Sequence, residues 1–250
     1  MKKVIIPIML LFLTATACKQ TNKYIKDFAL DIQNHKDRAM FTKLDDKSNS
    51  PIVLFNGKDF TNFYTFDEIH GKNNDVDRCF TVVDGVMHFK GEQFGYICTE
   101  RPFKNFYLRV QVRWGEGTYG RRKYDPRDSG ILYHIPAAAN DTIWPAGYEC
   151  QIQESDFGDF WLIMPADAKT ANRKENFGRY TRIEKTADHE KPHGEWNVVE
   201  VLCYDEKAEH YINGHKVNEA YDFNFTEGKI LLQLEGAEVF FKDIVLVQLK

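Results

Sequence analysis

The sequence has no close-spaced cysteine pair. Its five cysteines, Cys18, Cys79, Cys98, Cys150 and Cys203, are scattered along the chain, which excludes the paired ligand spacing of a zinc finger. An excess of basic charge is missing too: 33 Lys and Arg stand against 37 Asp and Glu, a formal net charge of −4. Without a basic footprint, nucleic acid is not an expected partner. There is no βαβ rhythm, internal repeat or low-complexity tract, so neither a parallel α/β fold nor a solenoid is indicated. Aromatic residues, in contrast, reach 14%, a content that suits both a β-sandwich core and a sugar-stacking surface.

At the start, Met1-Lys2-Lys3 precedes an apolar run from Val4 to Leu13, interrupted by Pro7. The run is too short for a comfortable membrane span and has the pattern of a secretory signal. Thr14-Ala15-Thr16-Ala17-Cys18 places small residues before a cysteine, which resembles a bacterial lipobox in which Cys18 is lipidated. An ordinary signal peptide cleaved near Ala17, or an uncleaved helix, is the competing reading. The organisation expected is a signal peptide over 1–17, a lipid-anchored tether over 18–50 and one β-sandwich domain over 51–250. The protein is then exported and held to the cell envelope membrane through Cys18. The absence of an acidic run after Cys18 favours the periplasmic side. Export allows disulfides, yet Cys98, Cys150 and Cys203 lie in apolar strand-like segments and are expected to be buried free thiols.

From Pro51 onward, short apolar or alternating runs are separated by turn signals such as Asp84-Gly85, Asn213-Gly214 and Glu235-Gly236. Such spacing predicts an all-β, antiparallel sandwich. Asn213-Gly214 should bend a hairpin through a type I′ turn. The polar stretch Phe157–Lys191 lacks periodicity and is expected to be an extended loop.

One strand carries candidate chemistry. In Gly147-Tyr148-Glu149-Cys150-Gln151-Ile152-Gln153-Glu154, the residues Tyr148, Cys150 and Ile152 should face the core. Glu149, Gln151 and Gln153 then share the other face at spacings of about 7 Å, while Glu154 returns to the core side. This could be a solvated face alone. Glutamate and glutamine are poor strand formers, however, and Trp144 before the strand and Asp159 and Trp161 after it look like the walls of a sugar cleft. His134, in the segment Gly130–Ile135, could be a general base, a metal ligand or a structural histidine. His193–Asn197 could reach the cleft, although Trp196 packing in the core is the preferred reading.

These pieces, taken in order, resemble the 3-keto-disaccharide hydrolase family. The pieces are Leu54–Phe60, Val83–Met87, Gly95–Glu100, Asn105–Leu108, Asp128–His134, Tyr148–Gln153, Gly194–Asn197 and Ile230–Gly236. The resemblance implies a concanavalin A-like jelly roll whose concave face holds a carbohydrate, and an activity on 3-keto glycosides. It carries over to Glu149, Gln151 and Gln153 first, then to His134 and Asp159. A strand with one acid and two amides does not supply the two carboxyls of an ordinary glycosidase. A 3-keto sugar needs only a base at C2–H, followed by β-elimination and hydration. The expected assignment divides the roles of base and metal ligand between Glu149 and His134. A divalent cation or hydrogen-bond donors would steady the enediolate. Gln151, Gln153, Asp159, Trp161 and Trp144 would contact the sugar. A non-catalytic carbohydrate-binding module and a structural envelope protein are the rival readings.

Overall fold

The computed structural model describes residues 51–249. The signal segment, Cys18 and the tether therefore lie outside the described residues. In chain order the strands are β1 (Ile52–Val53), β2 (Phe63–Asp67), β3 (Gly71–Lys72), β4 (Phe80–Val83), β5 (Val86–Phe89), β6 (Phe94–Thr99), β7 (Phe103–Lys104), β8 (Phe106–Thr118) and β9 (Gly130–Ile135). There follow β10 (Gly147–Gln151), β11 (Phe160–Ile163), β12 (Lys174–Phe177), β13 (Tyr180–Ile183), β14 (Asn197–Tyr204), β15 (Lys207–Ile212), β16 (His215–Tyr221), β17 (Glu227–Glu235) and β18 (Ala237–Gln248). Helical structure among the described residues is one 3-10 turn at Gly120–Arg122. None of it is long and apolar enough to cross a membrane.

The strands form two antiparallel sheets, as the turn spacing predicts. The first is ordered β16-β15-β14-β8-β18-β5-β4, with β1 added to β18. The second is ordered β12-β13-β11-β10-β9-β17-β6-β2-β3, with β7 added to β17. The hairpin turns match their chemistry: Asp84-Gly85 and Asn213-Gly214 both have positive φ at the two central positions, as a type I′ turn requires.

Alternating residues from both sheets meet in one core that includes Val110, Val112, Ile131, Tyr148, Cys150, Phe160, Val201, Leu232 and Phe241. Cys79, Cys98, Cys150 and Cys203 are free and buried, as expected for the last three. A second apolar cluster, with Tyr96, Leu132, Trp144 and Leu231, lies on the outer face of the second sheet. It is covered there by the loop that leads from β9 to β10.

Two expectations need correction. Phe157–Lys191 is not one loop, because β11, β12 and β13 lie within it and extend the second sheet. These strands are only four residues long, too short to show a period against their polar surroundings. Trp196 is only half-buried. It sits on the outer face of the first sheet, against Arg113 and Lys242, and not in the core.

Tyr148 joins core packing to a polar anchor. Its ring stacks on Phe223 at 3.9 Å. Its hydroxyl donates to Asn224 Oδ1 at 2.7 Å and accepts from the Phe225 amide at 3.1 Å. Tyr148→Ala should cost about 3–5 kcal/mol through the cavity it leaves. Tyr148→Phe should cost about 1 kcal/mol, for the lost hydrogen bonds alone. Chemical denaturation of the two variants checks this, and equal losses would contradict it.

Candidate active site

The outer face of the second sheet is built from cross-strand rows. Glu149 on β10 stands opposite Trp161 on β11 and Leu132 on β9, and Trp161 stands opposite Arg182 on β13. One step along, Gln151 is opposite Gly130, and beyond it Gln233 on β17 is opposite Tyr96. One step further, Asp128 bridges to Glu235. Strands that pair in register thus bring Glu149, Asp128 and Glu235 to one end of one face, although they are remote in sequence.

Gly130 makes room for this. A Cβ at that position would lie 1.8 Å from Glu149 Oε1 and 2.8 Å from Gln233 Oε1. The carboxyl of Glu149 therefore lies over a residue with no side chain. Arg122, carried by the 3-10 turn after β8, closes the other side. It contacts Asp128 at 2.8 Å and Glu235 at 3.4 Å, and donates to Gln153 Oε1 at 2.8 Å.

The acids are poised unequally. Burial pushes the pKa of Glu149 well above the usual carboxylate range, the charges of Asp128 and Glu235 add to this, and a Gln233 hydrogen bond opposes it. Glu235 is raised well above its ordinary value by burial and by Asp128, against Arg122 and Arg121. For Asp128 burial is again the main cause, but the Arg122 guanidinium opposes it and the value is about 7. Both acids are therefore pushed toward the protonated form, Asp128 against the opposing charge of Arg122 and Glu149 with no cation to oppose it. Three buried polar atoms at this spot have no partner among the described residues: Asp128 Oδ1, Arg122 Nε and Gln233 Oε1. Unsatisfied buried polar atoms are rare enough in folded proteins to mark a place that receives a ligand or does chemistry.

The residues expected from the sequence fare differently. Glu149 sits in the cluster, and Trp161 is half-exposed beside it. Gln153 reaches Arg122 and donates to Asp156 Oδ2 at 2.8 Å, so it orients the arginine. Gln151 turns back on its own backbone, where its Oε1 accepts from the Ile152 amide at 3.0 Å. Asp159 is fully buried; it accepts from Arg182 Nε at 2.6 Å and from the Lys185 amide at 2.8 Å. Trp144 is buried in the outer-face apolar cluster against Phe94.

His134 is not brought to Glu149. A bulge in the β9–β17 pairing, with His134 at φ 51°, turns its ring into the core beside Phe106, Tyr133 and Tyr148. Burial lowers its pKa to about 4, with the Phe225 backbone opposing. Glu149 and His134 thus lie on opposite sides of the sheet and do not fit a shared cation. Among the described residues, no group of three or more His, Cys, Asp or Glu is disposed to hold a metal. The sequence reading missed Arg122, Asp128, Glu235 and Gln233 as site residues. The available signal was that Asp128 and Glu235 flank strand segments already singled out.

Residues 50–247 match the family described as the 3-keto-alpha-glucoside-1,2-lyase-like domain. The chain belongs to this family. Membership agrees with the resemblance read from the ordered motifs and makes this a carbohydrate-active domain. The fold is shared with two crystal structures from Parabacteroides distasonis, each described as that of a candidate glycosyl hydrolase. One is 24% identical with a TM-score of 0.57, over 80% of this chain and 94% of that one. The other is 19% identical with a TM-score of 0.54, over 80% of this chain and all of that one. No curated protein matches the chain in sequence.

The cluster also sets a pH dependence. Asp128 has a folded pKa above its unfolded value, so between about pH 4 and 7 the folded state binds more protons than the unfolded one. Its contribution to stability is present at low pH and is lost as pH rises through 7. Asp128→Asn should flatten this part of the stability profile, measured by denaturant unfolding between pH 5 and 8. An unchanged slope would show that Asp128 does not titrate as described.

Proposed function

We propose that this lyase-like domain cleaves 3-keto glycosides by base-initiated elimination, and that the Glu149–Asp128–Arg122 cluster carries the reaction. The supporting observation is the convergence of two buried carboxyls of different acidity and one arginine at a spot that retains unpartnered polar atoms. The 3-keto group acidifies C2–H. Asp128, ionised against Arg122, takes that proton, and electron density moves onto the C3 oxygen. Arg122 Nε, a donor with no acceptor among the described residues, would stabilise that oxygen. The C1–O bond then breaks. Glu149, which keeps its proton, delivers it to the departing oxygen, and an enone remains in the sugar ring. Water adds at C1 and a proton returns to C2, giving the free 3-keto sugar.

This ordering exchanges the role first expected for Glu149: it acts as acid, not as base. A general acid matters less when the leaving group is a good one. With a 3-keto disaccharide, Glu149→Gln should lower kcat by about 10²–10⁴-fold. With a nitrophenyl 3-keto glucoside it should lower kcat far less, whereas Asp128→Asn should be inactive on both. Release measured from the two substrates decides this, with the unoxidised glucosides as negative controls. Equal damage by Glu149→Gln on both would return that residue to the role of base.

The half-exposed Trp161, 5.7 Å from the exposed Phe177, favours a second reading as a carbohydrate-binding module. On that reading sugar binds without product, and Asp128→Asn leaves the affinity unchanged.

A further inference from the structure

The outer face of the first sheet carries a row that the acid cluster does not use. His88 on β5 stands opposite Phe240 on β18, which stands opposite Arg113 on β8. Trp196, just before β14, continues the row beside Arg113. The side chains stack in turn. The His88 and Phe240 rings lie 4.7 Å apart at 16°, and Arg113 lies 4.9 Å from the Phe240 ring and 5.0 Å from the Trp196 ring. The Lys242 ammonium lies 4.0 Å from the Trp196 ring. With neighbouring strands about 4.8 Å apart, the row spans roughly 14 Å.

The charges in this row are unbalanced. Glu238 is held by His88 and by the Glu116 and Gly117 amides, and Asp243 accepts from Gln111. Arg113 and Lys242 have no carboxylate partner among the described residues, and Arg113 Nε is buried without an acceptor. All five side chains from His88 to Lys242 are half-buried. The two cations are thus held against the aromatic rings.

We propose that this row is a second carbohydrate-contact site, for an acidic polysaccharide built from uronic acids. The carboxylate of a uronate would meet Arg113 and Lys242, which lie over the Trp196 ring, and the apolar face of its pyranose would lie against the exposed part of this aromatic row. Charge complementarity and the aromatic plane select the ligand class, and the site works whether or not the acid cluster is catalytic.

Affinity electrophoresis of the full chain through gels containing polygalacturonate, with dextran as the neutral control, tests this. Retardation is expected in polygalacturonate alone, and it should weaken as salt is added. Trp196→Ala, and separately Arg113→Gln with Lys242→Gln, should each weaken binding about tenfold or more, and Glu149→Gln should leave it unchanged. Thermal melting confirms that each variant is folded, and the charge-removing pair leaves Trp196 in place should the alanine variant fail to fold. No retardation, equal retardation in dextran, or retardation indifferent to the double variant would overturn the proposal. Binding to phosphatidylglycerol vesicles that is lost in the same variants, without retention by polygalacturonate, would instead assign the face to a membrane.

Discussion

One guanidinium serves two buried carboxyls, and a third carboxyl beside them has no cation. Arg122 meets Asp128 and Glu235, while Glu149 is left with an amide neighbour and the space over Gly130. Burying a carboxylate is costly unless it is paired, so burial raises all three acids, and the arginine opposes the rise at Asp128 and Glu235 but not at Glu149. The same arginine ties the turn after β8 to the loop after β10 through Gln153. Loop placement and acid strength therefore rest on one contact, and neither can change alone.

The outer faces of the two sheets are finished in different ways. On the second sheet the middle of the face is apolar and closed over by the loop carrying Trp144. Arg179 holds that loop at the Trp144 carbonyl, and Asp141 holds it through Tyr64, Tyr96 and Lys72. Polar groups are concentrated at one end of that face. On the first sheet the aromatic rings stay half-open and are interleaved with cations. The jelly roll thus presents one buried, titrating surface and one open, charged surface on opposite sides of a single core.

What the sequence revealed follows from how local each feature is. Alternation along β10 placed Glu149 outward and Tyr148 and Cys150 inward, because a strand's side-chain period needs no knowledge of its neighbours. The Asp-Gly and Asn-Gly bends were legible for the same reason. Asp128 and Glu235 were not legible as partners, because only sheet pairing brings them together. His134 misled because alternation assumes an unbroken strand; a single bulge moved it to the other face. Trp196 misled because an aromatic residue at a strand's start looks the same whether it packs inward or lies against surface cations.

Gly130 does more than leave room for a carboxyl. If β10 slipped by one residue against β9, every side chain on it would change faces. Glu149 and Gln151 would enter the core, while Tyr148 and Cys150 would go to the outside. The one missing Cβ fits beneath Glu149 in a single register, so a mispaired β10 would lose its core packing and the place of Glu149 together. Correct pairing of these strands and the placing of Glu149 beside Asp128 and Glu235 are the same event.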